Sequence, residues 1–284
     1  MQPLLKYRGG KRKEIPEFEK YFPSSFDTYY EPFVGGGAVW FHLNHRKNVV
    51  SDVNEELIRF YKGLKNDYDG VVSDIIEIAE IYEKNMMEFR ARKEKYPNRH
   101  ISDHNEKFYY TLRSMYNGII PPTYSFAALY LSMNKLAYSG MIRKNTRGHF
   151  NVPYGRYKHF QMRNFTEEAR KLIRRTRFLN EDFGKIFEMA SEKDFIFCDP
   201  PYESVFHDYG NQEKDFGEEE HRRLFSCFQN SSCPCMVVVS KTPLTSELYG
   251  KHIVHEYDKN YAVNIRNRFK SDAIHIVCTN YKIS

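Results

Sequence analysis

Three consecutive glycines close a short apolar run, so that TYYEPFV (28 to 34) leads directly into GGGAVWFHL. This reads as a strand handing over to a helix through a tight turn. A second apolar strand follows in KNVVSDVN (47 to 54), ending near Asp52, and then a helical stretch over 55 to 66. In that stretch Leu57, Ile58, Tyr61 and Leu64 share one side. Strand alternating with helix predicts an α/β fold, a mostly parallel sheet with helices on its faces.

The alternation then breaks. From about 70 to 138 apolar positions recur at helical spacing, with many charges between them and no strand signal. Residues 139 to 165 are polar, basic and glycine-bearing, which predicts a loop or hairpin. Alternation resumes with TRFLNEDF (176 to 183), DFIFCDPP, a helix near 217 to 229, CMVVVS (235 to 240) and DAIHIVCTNY. The expected organisation is one α/β domain, residues 1–66 and 166–284, split by a largely helical insertion at 67–165. There is no internal repeat and no low-complexity segment.

At 284 residues the chain has ample length for a core. Its net charge is only +6, but the distribution is uneven. Twelve lysines and arginines lie between Lys135 and Arg177, against Glu167 and Glu168 alone. A local excess of that size suits a polyanion, most simply nucleic acid, although a solvated basic face has the same composition. The start, MQPLLKYRGGKRKE, lacks the apolar core of a secretory signal, and no run approaches a membrane span. The five cysteines are odd in number and scattered, which fits a reduced, cytosolic protein. CPC at 233 to 235 has no second ligand pair at zinc spacing, so no metal is expected.

Gly35, Gly36 and Gly37 allow a sharp bend and a close backbone approach to a ligand. Asp52 ends the next strand, where an acid can accept from both hydroxyls of a ribose; the same residue can instead cap the following helix. Neither GxGxxG nor GxxxxGK[ST] is present. The expected cofactor therefore has ribose and adenine without a need for phosphates, as S-adenosylmethionine does.

FIFCDPPYESV (195 to 205) carries the chemistry. Pro200 and Pro201 cannot extend a ladder, so the strand stops and presents Asp199, the Pro200 carbonyl and Tyr202. On its own this is also an ordinary rigid loop. As a site, a carboxylate and a fixed carbonyl can accept both hydrogens of an exocyclic amine, and Tyr202 can stack on its base. A base inside a duplex would have to be flipped out for this.

With these motifs in order, the chain resembles the Dam-type (D12 class, alpha group) DNA adenine-N6 methyltransferases over nearly its whole length. LKYRGGK (5 to 11) is similar to the family's amino-terminal cofactor motif, EPFVGGGAV to its glycine motif, and DPPY to its catalytic motif. YSGMIRKNTRGHFNVPYGRYK (138 to 158) resembles its DNA-recognition hairpin. The resemblance implies a Rossmann-like methyltransferase fold and, as catalytic residues, Asp199, Pro200, Pro201 and Tyr202. It implies cofactor contacts from Tyr7, Lys11, Glu31, Phe33, Gly35, Gly37, Asp52, Asp182, Phe183, Asp199 and Tyr209. DNA contacts would come from Lys6, Tyr138, Ser139, Met141, Arg143, Asn145, Arg147, Pro153, Arg156, Tyr157 and Lys158. Among these, Arg143 would read a base, Tyr138 would support the opened step, and Arg147, Arg156, Tyr157 and Lys158 would mainly hold phosphates. Ser139 departs from the asparagine often found there.

The implied activity is methylation of adenine N6 in a short duplex site, GATC or GATC-like, by a monomer in the cytoplasm of a bacterial or phage-infected cell. A cytosine-N4 or RNA-adenine enzyme is the near alternative, and a silent DNA-binding protein on the same scaffold is the alternative of another class.

Overall fold

The structure, a computed structural model, describes residues 1–7, 9–201, 216–259 and 273–283. The described residues form two compact units. One joins the first residues of the chain to Glu56–Arg174; the other comprises Gly9–Glu55 and the described residues from Arg175 onward.

The second unit is built on a seven-stranded sheet: β1 (Tyr29–Glu31), β2 (Asn48–Ser51), β3 (Thr176–Leu179), β4 (Phe195–Cys198), β5 (Cys235–Ser240), β6 (Ile253–Lys259) and β7 (Ala273–Thr279). The order is β3-β2-β1-β4-β5-β7-β6. The first five strands run parallel, and β7 pairs antiparallel with both β5 and β6. The mostly parallel sheet expected from the alternation is therefore present.

Its central strands, YYE, NVVS and FIFC, are buried at every position. That is why they read as continuous apolar runs: both faces of a parallel sheet are covered. Helices α1 (Ile15–Phe18), α2 (Ala38–Leu43), α8 (Phe183–Met189), α9 (Glu218–Asn230) and α10 (Pro243–Tyr249) accompany it. Pro243 takes the first turn of α10, where its missing N–H costs nothing, and Thr242 and Thr245 close a capping box. Fully buried Trp40 on α2 donates its indole N–H to Thr176 Oγ1 at 3.1 Å, which ties α2 to the start of β3.

The first unit holds α3 (Glu55–Asn66), α4 (Tyr68–Lys95), α5 (His104–Tyr116), α6 (Phe126–Leu136) and α7 (Glu167–Arg175). Asp67, Asp103 and Ser125 cap α4, α5 and α6 through their side chains. All eleven residues of α6 except its leading Phe126 are buried, so α6 is the centre of this unit. The stretch after it, 138 to 158, is hairpin-like: Ala137 bridges Tyr154 and Lys144 bridges Phe150 in antiparallel sense.

Among the described residues no helix is long and apolar enough to cross a membrane. The sequence pattern did not anticipate β6, α8 or α10. β1 is also shorter than 28 to 34, because the chain already turns at Pro32.

Candidate functional site

In the sheet unit, neighbours of β1 continue to β2 and β3 on one side, while β4 leads to β5 on the other. Loops leaving the carboxyl ends at such a switch point diverge and open a crevice. β1 ends there at Glu31 and β4 at Cys198, directly before Asp199.

Asp199 Oδ1 lies 2.7 Å from Lys11 Nζ, with the lysine side chain 1% and the aspartate 19% exposed. Burial pushes the Asp199 carboxyl above its ordinary range, and the neighbouring Lys11 ammonium works against that rise. Lys11 opens a single 3-10 turn, Lys11–Lys13, and its ammonium reaches the residue that follows β4. Pro200 is buried and Pro201 exposed. Tyr202 and Tyr209 lie outside the described residues.

The glycine turn is held by the second acid. Gly35 donates its N–H to Asp52 Oδ2 at 2.9 Å, and Asn54 donates to Oδ1 at 3.0 Å. Asp52 thus steadies the glycine turn and the segment that leads into α3 with one carboxylate. Gly35 and Gly37 have φ of 45° and 72°. A Cβ on Gly37 would sit 2.9 Å from Trp40 Cε3, and this is where glycine is required.

Glu31 is 3% exposed and accepts from Tyr29 Oη at 2.8 Å. Burial raises its carboxyl well above the usual range despite that bond. Phe33 packs against Phe183, with centroids 5.5 Å apart, and both meet Phe216. β3 stops at Leu179, three residues before Asp182, which caps α8 through Gly184 and binds Arg223 through both oxygens at 2.7 and 2.6 Å. The Arg223 bonds hold the Asp182 carboxyl below its usual range.

The sheet unit therefore brings together Lys11, Glu31, Phe33, Gly35, Gly37, Asp52, Asp182, Phe183 and Asp199. Tyr7, 40% exposed, belongs to the helical unit. Four residues of this region were not singled out by sequence: Glu14, Tyr257, Lys259 and His275. Glu14 accepts from Tyr257 Oη at 2.8 Å and pairs with Lys259 Nζ at 2.7 Å. Only Glu14's position, three residues after Lys11, offered any signal. Among the described residues no group of three or more His, Cys, Asp or Glu side chains could hold a metal ion. Cys233 and Cys235 are free, buried thiols.

In the helical unit, Lys6 is clamped. Its N–H donates to Asn134 Oδ1 at 2.8 Å, and Asn134 Nδ2 donates back to the Lys6 carbonyl at 2.7 Å. Its Nζ donates to the Lys135 carbonyl at 3.3 Å and lies 3.8 Å from the centre of the Tyr157 ring. Burial lowers the Lys6 pKa. Lys135 is 8% exposed, and burial, with Lys6 and Arg163 nearby, brings its pKa down to about 8.

Phe150, Val152 and Tyr154 anchor the hairpin by burial, while Tyr138 (58% exposed), Ser139, Arg143, Asn145, Arg147, Pro153, Arg156 and Lys158 are exposed. Met141 and Tyr157 are half-buried. Asn145 shapes the tip, its Oδ1 accepting from the N–H groups of Arg147 and His149. Arg143 Nε donates to Asn151 Oδ1 at 3.0 Å, and Arg156 pairs with Glu106 at 3.2 Å. Ser139 has φ 57° and ψ 15°, left-handed backbone that a serine adopts only at a cost.

Comparison with known proteins bears on these features together. The family model for D12 class N6 adenine-specific DNA methyltransferases matches residues 7–264. The type II methyltransferase M.CviBI of Paramecium bursaria Chlorella virus NC1A is 35% identical, the alignment covering 99% of this chain and 100% of that protein. The type II methyltransferase M.MjaIII of Methanocaldococcus jannaschii is 32% identical over 79% of this chain and 78% of its own. The DNA adenine methylase of Haemophilus influenzae is 30% identical over 87% and 82%. The chain belongs to the D12 class of N6 adenine-specific DNA methyltransferases.

Proposed function

We propose that this methyltransferase uses S-adenosylmethionine to methylate N6 of an adenine flipped out of duplex DNA, within a short site of the GATC kind. The observation that carries the reading is the Asp199 carboxylate, held by buried Lys11 at the carboxyl end of β4, beside the β1 glycine turn. The residues there fit the cofactor. Gly37 permits the tight turn between β1 and α2, Asp52 supplies a carboxylate for ribose hydroxyls, and Glu31 supplies one for an ammonium group. The aromatic group of Phe33 and Phe183, with Asp182 beside it, suits an adenine ring. Tyr7 is the further stacking residue in this reading.

Bound there, S-adenosylmethionine supplies a methyl group already made electrophilic by its sulfonium. The chain's part is to prepare and hold the amine. Asp199 and the Pro200 carbonyl accept its two hydrogens, which favours a pyramidal nitrogen with an available lone pair. Lys11, 2.7 Å from Asp199, opposes the rise that burial causes, and in this reading the carboxylate accepts rather than donates. Orientation does most of the remaining work, and no tuned general base is required. Tyr202 would cover the flipped base and Tyr209 the cofactor.

On the DNA side, Arg143 and Lys6 read base edges, Met141 and Pro153 touch thymine methyls, and Tyr138 fills the opened step. Ser139 and Asn145 shape the reading segment. Arg147, Arg156, Tyr157 and Lys158 hold phosphates and set register. The sheet-bearing segments thus serve chemistry, and residues 67–165 serve recognition. The enzyme acts as a monomer, in the cytoplasm of a bacterial or phage-infected cell.

Incubating the protein with methyl-labelled cofactor and duplex DNA, then digesting to nucleosides, tests the reading. Label is expected in N6-methyladenine. Label in cytosine, or none in a protein that still binds DNA, would sink it. Methylation-sensitive sequencing of the product gives the site.

A further inference from the structure

Behind the Lys11–Asp199 pair lies a second carboxylate that the chemistry of methyl transfer does not itself call for. Glu14 is 7% exposed. Its Oε2 accepts from Tyr257 Oη on β6 at 2.8 Å and contacts His275 Nδ1 on β7 at 2.7 Å. Its Oε1 pairs with Lys259 Nζ, also on β6, at 2.7 Å, and Lys11 Nζ lies 3.9 Å from Oε2. His275 is fully buried, and its Nε2 lies 3.3 Å from Ser240 Oγ on β5. An ionised Glu14 can only accept, so Nδ1 carries the proton toward it and Nε2 receives the serine hydroxyl. Burial works to raise the Glu14 pKa, but the His275 bond and the two lysines outweigh it and bring it down to about 2.

These contacts form a charge-balanced set, with Asp199 and Glu14 negative and Lys11 and Lys259 positive. A lysine ammonium is a point charge on a four-carbon stem with several rotors, so one carboxylate fixes its distance but not its direction. Glu14 sets a second carboxylate 3.9 Å from the ammonium, beyond hydrogen-bond distance but near enough to bias its direction by charge, and is itself immobilised by donors from two strands. We infer that Glu14 is a positioning residue for methyl transfer: clamped to the β6–β7 pair by Tyr257, Lys259 and His275, it aims Lys11 at Asp199. The inference rests on the reading of Asp199 as the acceptor for the target amine. It extends the catalytic support across the sheet to two strands that carry no recognised motif.

The sign of a pH effect separates positioning from mere charge. Asp199 is faced by the cations Lys11 and Lys259 and by the anion Glu14, and Glu31 at the end of β1 feels it as well. If Glu14 acted only through its charge, removing it would lower the Asp199 pKa, because an anion is lost. If Glu14 aims Lys11, removing it lets the lysine drift and the Asp199 pKa rises. Single-turnover methylation of duplex DNA by the full chain, followed against pH, reads this difference.

For Glu14→Gln the expected result is a rate lower by roughly 10–100-fold, the range for partners that orient a working group. Cofactor affinity should stay within about twofold, and the acid limb should move to higher pH. Tyr257→Phe removes one anchor without changing shape and should shift both readings the same way by less. It decides the matter if Glu14→Gln does not fold. An unchanged rate, or an acid limb that moves to lower pH, overturns the inference. Asp199→Asn separates this from the underlying reading: if that variant still transfers methyl groups, the role of Asp199 itself is wrong, whatever Glu14 does.

Discussion

Lys11 and Arg143 each carry one positive charge, in settings that could hardly differ more. Lys11 is 1% exposed, 2.7 Å from Asp199, within a network whose members come from three strands, the residue after β4 and the amino-terminal turn. Arg143 is exposed on the hairpin, its guanidinium bonded to the Asn151 side chain on the facing arm. A buried charge must be matched by fixed partners or it would not stay ionised, so its geometry has one solution. An exposed arginine gives up little by leaving a neutral partner for a base edge or phosphate. Chemistry that depends on a single arrangement belongs in the first setting, and recognition that must form and release belongs in the second.

The sharpest way to break this comparison is Asp199→Ala. We expect methyl transfer to fall by at least about a thousandfold, beyond the loss of one preorganised hydrogen bond at a reacting centre. Non-specific DNA binding, which is set by exposed cations and salt, should stay within about twofold. Single-turnover transfer and fluorescence anisotropy with labelled duplex measure the two. If binding fell along with transfer, the buried and exposed settings would not be separable functions.

Next in size come two exposed arginines of the same hairpin. Arg143→Ala should relax the choice of one base pair by roughly 1–3 kcal/mol, about 5- to 150-fold in relative rate on substituted sites. Arg147→Ala should weaken all sequences alike and reduce the slope of log affinity against log salt by about one. Equal behaviour of the two variants would show that the hairpin holds DNA without reading it through Arg143.

Both units also bend their backbone into the left-handed region, with different residues. In the sheet unit Gly37 does so at φ 72°, with a buried tryptophan ring in the way of any Cβ. Gly37→Ala should cost about 1–2 kcal/mol for the conformation alone. At about 2–4 °C per kcal/mol for a chain of this size class, Tm should drop by several degrees. A thermal melt that showed no change would mean the turn can relax away from Trp40.

Much of the sheet was legible because its parallel strands are buried on both faces, so FIFC and CMVVVS stand out as apolar runs. The glycine turn, Asp52 and Asp199 were legible because special backbone leaves special residues behind. β6 was not legible: IVHEYDK is half-exposed and charged, as a strand at the sheet's edge should be. Nor was Glu14. Its hydroxyl donor is 243 residues away, and no local period reports a partner that only sheet pairing brings near. Lys6 poses the same problem, since its clamp on Asn134 spans 128 residues. The motif residues thus advertise themselves, and the residues that hold them do not.

Ser139 offers the smallest and finest test. It stands at φ 57°, with Gly140 following at φ 63°, so two consecutive residues are left-handed where Tyr138 is presented. Asparagine tolerates this conformation better than serine does, because its short amide can bond locally. If backbone shape is what the position requires, Ser139→Asn should raise stability by a few tenths of a kcal/mol, roughly 1 °C in Tm, and leave the methylation rate within about twofold. If the side chain itself touches DNA, the rate or the preferred site should change while Tm barely moves. The two outcomes assign position 139 to shape or to reading, and with it decide how much of the hairpin's specificity comes from conformation.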